Sequence, residues 1–452
     1  MKHSLVIQQY RALFAALTAT ATILTASGSL FSSTPASISC KVEPERSVLA
    51  AEKPESIMVK VSLRGSERAL QGERCPINMA LVIDRSGSMS GDRIAQAKDA
   101  AIAAVERLTA SDIISVVIFD HTIDTIVPAQ YVSNKQDIVA RIREITARGN
   151  TAIFGGVSQA AAEVRKNIER GYINRIVLLS DGQANVGPQS PADLGRLGVS
   201  MMKEKISVTT IGVGLGYNED LMTRLASKSD GNSYFVENSD DLPRIFKSEL
   251  GSVLSVVAKS VQLSVRFSSG ATPVEIVGRD GHIDGKTVTL DFNQVYSAQE
   301  KYVLIRTECE PGRSGDSRTI AQAEVSFKDV EANTSRRVSA VGTVNFSESA
   351  VVVRESVKKD VVREAALNYN TKIVEQAIRL ADEGKREEAA KLFERQAATL
   401  KKQAADYDLR DLDAEADYQM SNSMKVKSSG LDARSRKENV QRNFEVQQQF
   451  KQ

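Results

Sequence analysis

Five side chains with oxygen donors are candidates for a metal site, and they come from three separate segments of the chain. Asp84, Ser86 and Ser88 form a D-x-S-x-S motif directly after an apolar run, whereas Thr151 and Asp181 lie farther along. Hard divalent cations such as Mg²⁺ take hydroxyl, carboxylate and water oxygens as ligands. These residue types therefore predict a site for a hard divalent cation.

The D-x-S-x-S motif on its own is a weak indication, because Asp84 and Ser86 could instead cap the helix that begins near Asp92. Its position adds weight, since the motif lies where a predicted strand turns into a helix, and open parallel sheets bind ligands at the carboxyl ends of strands. Thr151 opens a predicted helix and Asp181 ends another predicted strand. Helix capping does not explain this convergence, so we prefer the metal site.

The composition argues against several other kinds of site. The chain has 452 residues, of which 59 are basic and 57 acidic, whereas a general nucleic-acid-binding protein needs a basic surface. Only three histidines and three cysteines are present, which argues against a His-based zinc site, a zinc-ribbon array and a Ser-His-Asp triad. We therefore expect oxygen ligands for any metal and no nucleic-acid partner. The partner expected below is a protein, and no small-molecule substrate is expected.

Residues 76–256 alternate apolar, strand-like runs with amphipathic helical segments. Strands rich in Val, Ile and Leu and separated by helices are typical of a parallel sheet covered on both faces. The segment DTIVPAQYV follows Asp120 too closely for a crossover helix, so we predict an antiparallel edge strand there. The region is predicted to be a doubly wound α/β domain. Its remaining predicted strands are INMALVID (77–84), DIISVVIFD (112–120), NRIVLLSD (174–181), ISVTTIGVG (206–214) and NSYFVE (232–237).

Period-two alternation of apolar and polar residues on both sides of this domain predicts an antiparallel β-sandwich. The upstream part, residues 41–72, contains SIMVKVSLRG, and residues 257–348 contain six further alternating segments. The upstream strand has no parallel-sheet partner of its own. We therefore predict that it pairs with the later strands, which makes the α/β domain an insertion within the sandwich.

Strand signals cease after the sandwich. Residues 351–418 predict a helical hairpin with its turn at Gly384. One such hairpin resembles a tetratricopeptide unit, but about three repeats are needed for a solenoid, so a helical buttress packed on the sandwich is the preferred interpretation. Residues 419–452 are rich in Ser, Lys and Gln and are predicted to form a flexible tail, with a short terminal helix as the alternative.

Residues 1–36 predict a signal peptide. Basic residues precede an apolar run from Ala12 to Ala26 that is diluted by Thr, and this run is shorter than the about 20 residues of a membrane span. An uncleaved anchor is the alternative, and only then is membrane contact expected. We expect an exported protein in the periplasm, the cell envelope or outside the cell. Export permits one disulfide among Cys40, Cys75 and Cys309 without specifying the pair, and three free thiols are the alternative.

The motif and its setting resemble a von Willebrand factor type A domain with a metal-ion-dependent adhesion site. The resemblance covers roughly residues 76–254, and the flanking strands make the layout similar to bacterial secreted proteins of this type. More distantly, it is similar to the heavy chains of inter-alpha-trypsin inhibitor. The resemblance implies three direct hydroxyl ligands and two carboxylates that bind the ion through water, namely Ser86, Ser88 and Thr151, and Asp84 and Asp181.

A cation held by three neutral hydroxyls, with the carboxylates one water away, stays electron-poor and favours one more anionic oxygen. A Glu or Asp carboxylate of a partner protein would supply that oxygen, so the metal would bridge two proteins. We therefore expect a non-enzymatic, metal-dependent module for adhesion or assembly. Mg²⁺ is the expected ion, with Mn²⁺ or Ca²⁺ as alternatives.

Two other functions stay open. An envelope structural protein could fill the metal site with a carboxylate of its own, for instance from the acidic segment 408–417. A metal-dependent hydrolase would need a general base near the metal-bound water, and no spare His or Glu lies in the ligand loops. Two nearby residues are possible contacts for a ligand, Arg85 by steering an acidic partner and His121 from the rim, although simple solvation is the alternative for both.

Overall fold

A computed structural model describes residues 36–67, 74–168 and 171–449, which form three β-sheets and a C-terminal run of helices. The predicted signal peptide lies outside the described residues, apart from Ala36. Among the described residues, no helix is both long and apolar enough to cross a membrane.

The strands are β1 (Ile38–Pro44), β2 (Val48–Ala50), β3 (Glu55–Gly65), β4 (Ile77–Asp84), β5 (Ile113–Phe119), β6 (Ile123–Tyr131), β7 (Ile173–Ser180), β8 (Ile206–Val213), β9 (Ser233–Val236), β10 (Val256–Phe267), β11 (Ala271–Val277), β12 (His282–Asp284), β13 (Thr287–Tyr296), β14 (Glu300–Cys309), β15 (Ser317–Asp329) and β16 (Ser335–Ser347). The α-helices are α1 (Asp92–Arg107), α2 (Lys135–Arg143), α3 (Ile153–Arg165), α4 (Pro191–Lys203), α5 (Glu219–Lys228), α6 (Leu242–Leu254), α7 (Ala350–Glu355), α8 (Lys359–Asp382), α9 (Arg386–Tyr407), α10 (Arg410–Ser428) and α11 (Ala433–Gln448).

The α/β domain is built on a six-stranded sheet with the order β6-β5-β4-β7-β8-β9. All neighbouring strands are parallel except β6, which runs antiparallel to β5. Alternate residues of β4 face opposite sides: Leu81 packs in the core with α1, α2 and α6, whereas Val82 packs in the core with α3, α4 and α5. The doubly wound domain and its antiparallel edge strand are therefore confirmed.

The β-sandwich is formed by two antiparallel-rich sheets that share one apolar core. One sheet has the order β1-β3-β14-β11 and the other has the order β12-β13-β10-β15-β16-β2. Strand β3 precedes the α/β domain and β14 follows it, yet they pair along their whole length, with Val61 opposite Val303. The pairing confirms that the α/β domain is an insertion within the sandwich.

Buried polar contacts fix the α/β domain against the sandwich. Arg175 on β7 is fully buried and donates a hydrogen bond of 2.6 Å to the hydroxyl of Tyr296 on β13. It also donates to Thr209 Oγ1 at 3.1 Å and lies 3.5 Å from Glu249 of α6. Because a buried cation is costly unless its charge and donors are matched, these groups favour one orientation of the two domains.

The helices of the C-terminal region extend beyond the hairpin that the sequence predicts for residues 351–418. Helices α8 and α9 form the expected hairpin, with Gly384 in a left-handed conformation at the turn (φ 79°). The prediction of a flexible tail from residue 419 is wrong over the described residues 419–449, because they form the end of α10 and, after a short connection, all of α11. Its polar side chains are buried in hydrogen bonds, such as Asn422 to Asn439 and Gln441 to the carbonyl of Ser233.

All three cysteines lie within the described residues and are free thiols. Cys309 is buried in the sandwich core, and Cys40 is partly buried at its edge. Of the two alternatives that the sequence leaves open, the structure therefore shows the three unpaired thiols.

Tyr296→Phe should destabilise the protein by about 1–3 kcal/mol, because a buried Arg175 donor would lose its acceptor. Urea unfolding followed by circular dichroism measures the change in the free energy of unfolding. The matched control is Tyr131→Phe, at an exposed position, which should change stability by no more than about 0.5 kcal/mol. Equal effects of the two substitutions would contradict the role given to the buried contact.

Candidate metal centre

The five predicted ligands lie at the carboxyl-terminal edge of the α/β sheet. Asp84 is the last residue of β4, and Ser86 and Ser88 lie in the loop that leads to α1. Asp181 directly follows β7, and Thr151 precedes α3. Because β4 and β7 are adjacent parallel strands, their ends and the loops that follow them meet at one place.

A continuous set of hydrogen bonds joins four of the five residues. The backbone N–H of Ser86 donates to Asp84 Oδ1 at 2.7 Å. The Ser86 and Ser88 hydroxyl oxygens are 3.1 Å apart, and the Ser88 hydroxyl donates to Asp181 Oδ1 at 2.8 Å. The motif loop is therefore tied to the end of the neighbouring strand.

Thr151 approaches the same place from the loop before α3. A Cβ atom added at Gly182 would lie 3.0 Å from Thr151 Oγ1 and 3.5 Å from Asp84 Oδ2. The loop after β7 holds Thr151 in position, because its N–H donates to Asn185 Oδ1 at 2.8 Å and its carbonyl accepts from Asn185 N–H at 3.1 Å. The structure thus brings together all five side chains selected from the sequence.

Both carboxylates of the site are withdrawn from solvent. Burial raises the pKa of Asp84 to about 6, and the charge of Asp181 acts in the same direction. Hydrogen bonds from the Ser180 hydroxyl and from Ser86 oppose this shift. Two buried carboxylates at one point favour a positive charge between or beside them.

Arg93, which sequence reasoning missed, supplies a positive charge to the site. Its Nη1 forms an ion pair with Asp181 Oδ2 and donates to the carbonyl of Ser88 at 3.1 Å. The only sequence signal is its place at the start of α1, within a turn of the motif loop.

Arg85 does not act as either sequence interpretation expected. Its side chain is only 9% exposed and pairs with Asp120 Oδ2 at 3.0 Å and with Asp124 Oδ2. Although burial alone would raise it, the pKa of Asp120 is lowered to about 2 by hydrogen bonds from Thr122 and Arg148 and by the charge of Arg85. Arg85 therefore stabilises the neighbouring loop and is neither solvated nor free to steer a partner.

His121 and a glycine-rich turn after β8 lie near the same edge of the sheet. The side chain of His121 is 54% exposed, and its Nδ1 lies 3.4 Å from Asp120 Oδ1. The segment GVGLG (212–216) makes a tight turn in which Gly214 has a φ of 74°. A Cβ atom at Gly214 would lie 3.4 Å from Arg93 Nη2. His121 therefore lies exposed beside Asp120, and the turn lies beside Arg93.

The donor set suits a hard cation. Across the described ranges, no group of three or more His, Cys, Asp or Glu side chains is placed to hold a metal ion. The site instead combines three hydroxyls with two carboxylates, so that every side-chain donor is an oxygen. Oxygen-only sets of this kind favour Mg²⁺, Mn²⁺ or Ca²⁺ over zinc or copper.

Known proteins resemble this chain in sequence. Residues 78–248 match the family model of the von Willebrand factor type A domain. An uncharacterized protein of Synechocystis is 32% identical over 174 residues, covering 38% of this chain and 41% of that protein. Inter-alpha-trypsin inhibitor heavy chain H4 of Bos taurus is 26% identical over 215 residues, covering 45% of this chain and 23% of that protein. The chain thus spans less than half the length of these curated relatives.

The fold is also similar to that of a solved structure over most of the chain. The von Willebrand factor type A protein from Catenulispora acidiphila superposes with a TM-score of 0.67 at 17% identity, covering 87% of this chain and 89% of that one. Domains of the matched family commonly act as protein-interaction modules. The chain therefore contains a von Willebrand factor type A domain, inserted into a β-sandwich and followed by a run of C-terminal helices.

Proposed function

We propose that this chain is a metal-dependent protein-binding module in which a divalent cation, Mg²⁺ first, accepts a Glu or Asp carboxylate from a partner protein. The observation that carries the proposal is the convergence of three hydroxyls and two buried carboxylates at the ends of β4 and β7. The direct ligands would be Ser86, Ser88 and Thr151, and Asp84 and Asp181 would act through water.

The neutral hydroxyls decide what such a site can do. Hydroxyl ligands donate no net charge, and carboxylates one water away neutralise the ion less than direct carboxylates would. A cation held in this way retains affinity for an external anionic oxygen. Type A domains typically bind a divalent metal ion at this kind of site, and they commonly bind proteins, which supports this use of the site.

The hydrogen bonds and ion pairs of the carboxylates near the site favour binding over hydrolysis, because they leave no suitable general base among Asp84 and Asp120. Both oxygens of Asp84 accept hydrogen bonds, Oδ1 from Ser86 N–H and Oδ2 from the Ser180 hydroxyl. A nearby cation would also stabilise the charged form of Asp84. Asp120 has a pKa of about 2, far below the range that suits a general base near neutral pH.

The alternative function is an envelope structural protein whose metal site is filled by a carboxylate of its own chain. The contacts of the acidic segment 408–417 do not support it. This segment lies mostly in α10, where Asp411 pairs with Arg363 of α8 at 3.4 Å. Asp417 pairs with Lys401 of α9 at 3.2 Å. Both carboxylates are therefore paired with lysine or arginine side chains of neighbouring helices.

Export is part of the proposal and rests on the sequence of residues 1–36 alone. In cells of the source organism, we expect a mature chain that begins near Ser29 or Ser37, because small residues precede both positions. Mass spectrometry of the purified protein measures this directly. An intact Met1 in the membrane fraction would identify an uncleaved anchor instead.

Metal binding should depend on the space beside Gly182. In Gly182→Ala the new methyl would press on Thr151 Oγ1, so we expect about tenfold weaker Mg²⁺ binding by isothermal titration calorimetry, as for residues that position metal ligands. Asp84→Ala should weaken binding by about 100-fold.

The matched control is Gly251→Ala in α6, where an added Cβ meets no heavy atom within 4 Å. This variant should bind Mg²⁺ as the wild type does. Unaltered Mg²⁺ affinity in both Gly182→Ala and Asp84→Ala would contradict the assignment of the metal centre.

Partner binding should require both the ion and an acidic residue. We expect proteins captured from an envelope extract by the immobilised chain to be released by EDTA and to be absent with Asp84→Ala. A short peptide with a central Asp should compete at millimolar concentration, and the same peptide with Asn should not. Capture that survives EDTA and Asp84→Ala would favour a structural role without metal-dependent binding.

A further inference from the structure

Arg93 is a charged residue of the metal centre that the proposed function does not use. It is the second residue of α1, and its guanidinium reaches over the motif loop to Asp181 Oδ2 and the Ser88 carbonyl. Its side chain is 43% exposed, whereas that of Asp181 is fully buried. The only exposed member of this ion pair is therefore the cation.

The Arg93 guanidinium balances negative charge in the metal-free site. Asp181 Oδ1 accepts a hydrogen bond from the Ser88 hydroxyl, but a neutral hydroxyl does not balance the charge of a buried carboxylate. Asp84 lies in the same site and adds a second negative charge. Among the residues that the structure describes, Arg93 is the only positively charged side chain paired with either carboxylate.

We propose that Arg93 is a built-in counter-ion that holds Asp181 in the metal-free protein and competes with the divalent cation for this carboxylate. The inference rests on the proposed function, because it assigns Asp181 to the metal. An arginine and a divalent cation repel each other at close range. The ion must therefore displace the guanidinium from Asp181 or bind beside it at a cost.

Two consequences follow from this competition. The metal-free site keeps its loops in place, because the guanidinium ties Ser88 and Asp181 together. The affinity for the ion is also lower than the oxygen ligands alone would give, so that the ion can be exchanged. Because Arg93 is exposed, its side chain can move into solvent without opening the core.

The test is Arg93→Gln in the full chain, measured in two ways. Titration calorimetry with Mg²⁺ alone should show about five- to tenfold tighter binding than in the wild type, because a competing positive charge is lost. Thermal unfolding in EDTA should show a melting temperature lower by about 2–4 °C, because buried Asp181 loses its partner. At saturating Mg²⁺ this difference in melting temperature should disappear.

Two control variants separate competition from a general effect of charge. Arg148→Gln removes another exposed arginine of the same face, but Arg148 pairs with Asp120 at 3.0 Å and with no predicted ligand. This variant should change Mg²⁺ affinity less than twofold. Arg93→Lys keeps the charge and should stay within about threefold of the wild type, because lysine can still reach a carboxylate as a point charge.

Each outcome bears on one proposal. If the wild type and Arg93→Gln both fail to bind Mg²⁺, the proposed metal site is wrong. If the wild type binds Mg²⁺ and Arg93→Gln binds it no more tightly, only the competition is wrong. An equal gain in affinity for Arg93→Gln and Arg148→Gln would also overturn it, since that result reports the charge of the whole face.

Discussion

The parallel pairing of β4 with β7 is the constraint on which the candidate metal centre depends. Their register places Ile83 opposite Leu179, so that Asp84 and Ser180 end the two strands side by side. The Ser180 hydroxyl then donates to Asp84 Oδ2, and the next residue, Asp181, receives the hydroxyl of Ser88. A shift of one residue would turn each of these side chains to the opposite face of the sheet. The core that fixes this register therefore also fixes the chemistry at its edge.

Carboxylates buried along this edge differ in how their charge is balanced. Asp120, at the end of β5, lies between Arg85 and Arg148 and is held strongly ionised. Asp84 and Asp181 lie in one site and accept hydrogen bonds from serine hydroxyls. The Arg93 guanidinium pairs with Asp181. Burial without a cation of its own raises the pKa of Asp84 to about 6. The charge of Asp120 is therefore balanced by arginines of the protein, whereas Asp84 and Asp181 together favour an added cation.

The sequence predicts the features that follow from local pattern. Apolar strands separated by amphipathic helices specify the doubly wound sheet. Four oxygen donors can be selected because they follow the ends of parallel strands, and Thr151 can be selected because it opens a helix of the same domain. The contacts of Arg85 and Arg93 are not predictable in this way. The Arg93–Asp181 pair joins residues 88 positions apart, and which acid an arginine contacts depends on side-chain paths. The packing of α11 is not predictable for a similar reason, because its polar residues are buried through long-range hydrogen bonds that composition does not reveal.

Helix α11 contacts the loop that lies beside the candidate metal centre. Lys437 is buried, donates to the carbonyl of Tyr217 at 2.7 Å and lies 4.4 Å from the centre of the Tyr217 ring. The Tyr217 ring packs against Gly212 on β8, at a distance that no side chain at Gly212 would permit. The turn between these two residues passes Arg93 and the Asp181 carbonyl. A Cβ atom added at Gly216 would lie 3.4 Å from the carbonyl oxygen of Asp181. Helix α11 therefore restrains the turn beside Arg93. Residues that composition alone would assign to a mobile tail thus help to shape the candidate metal centre.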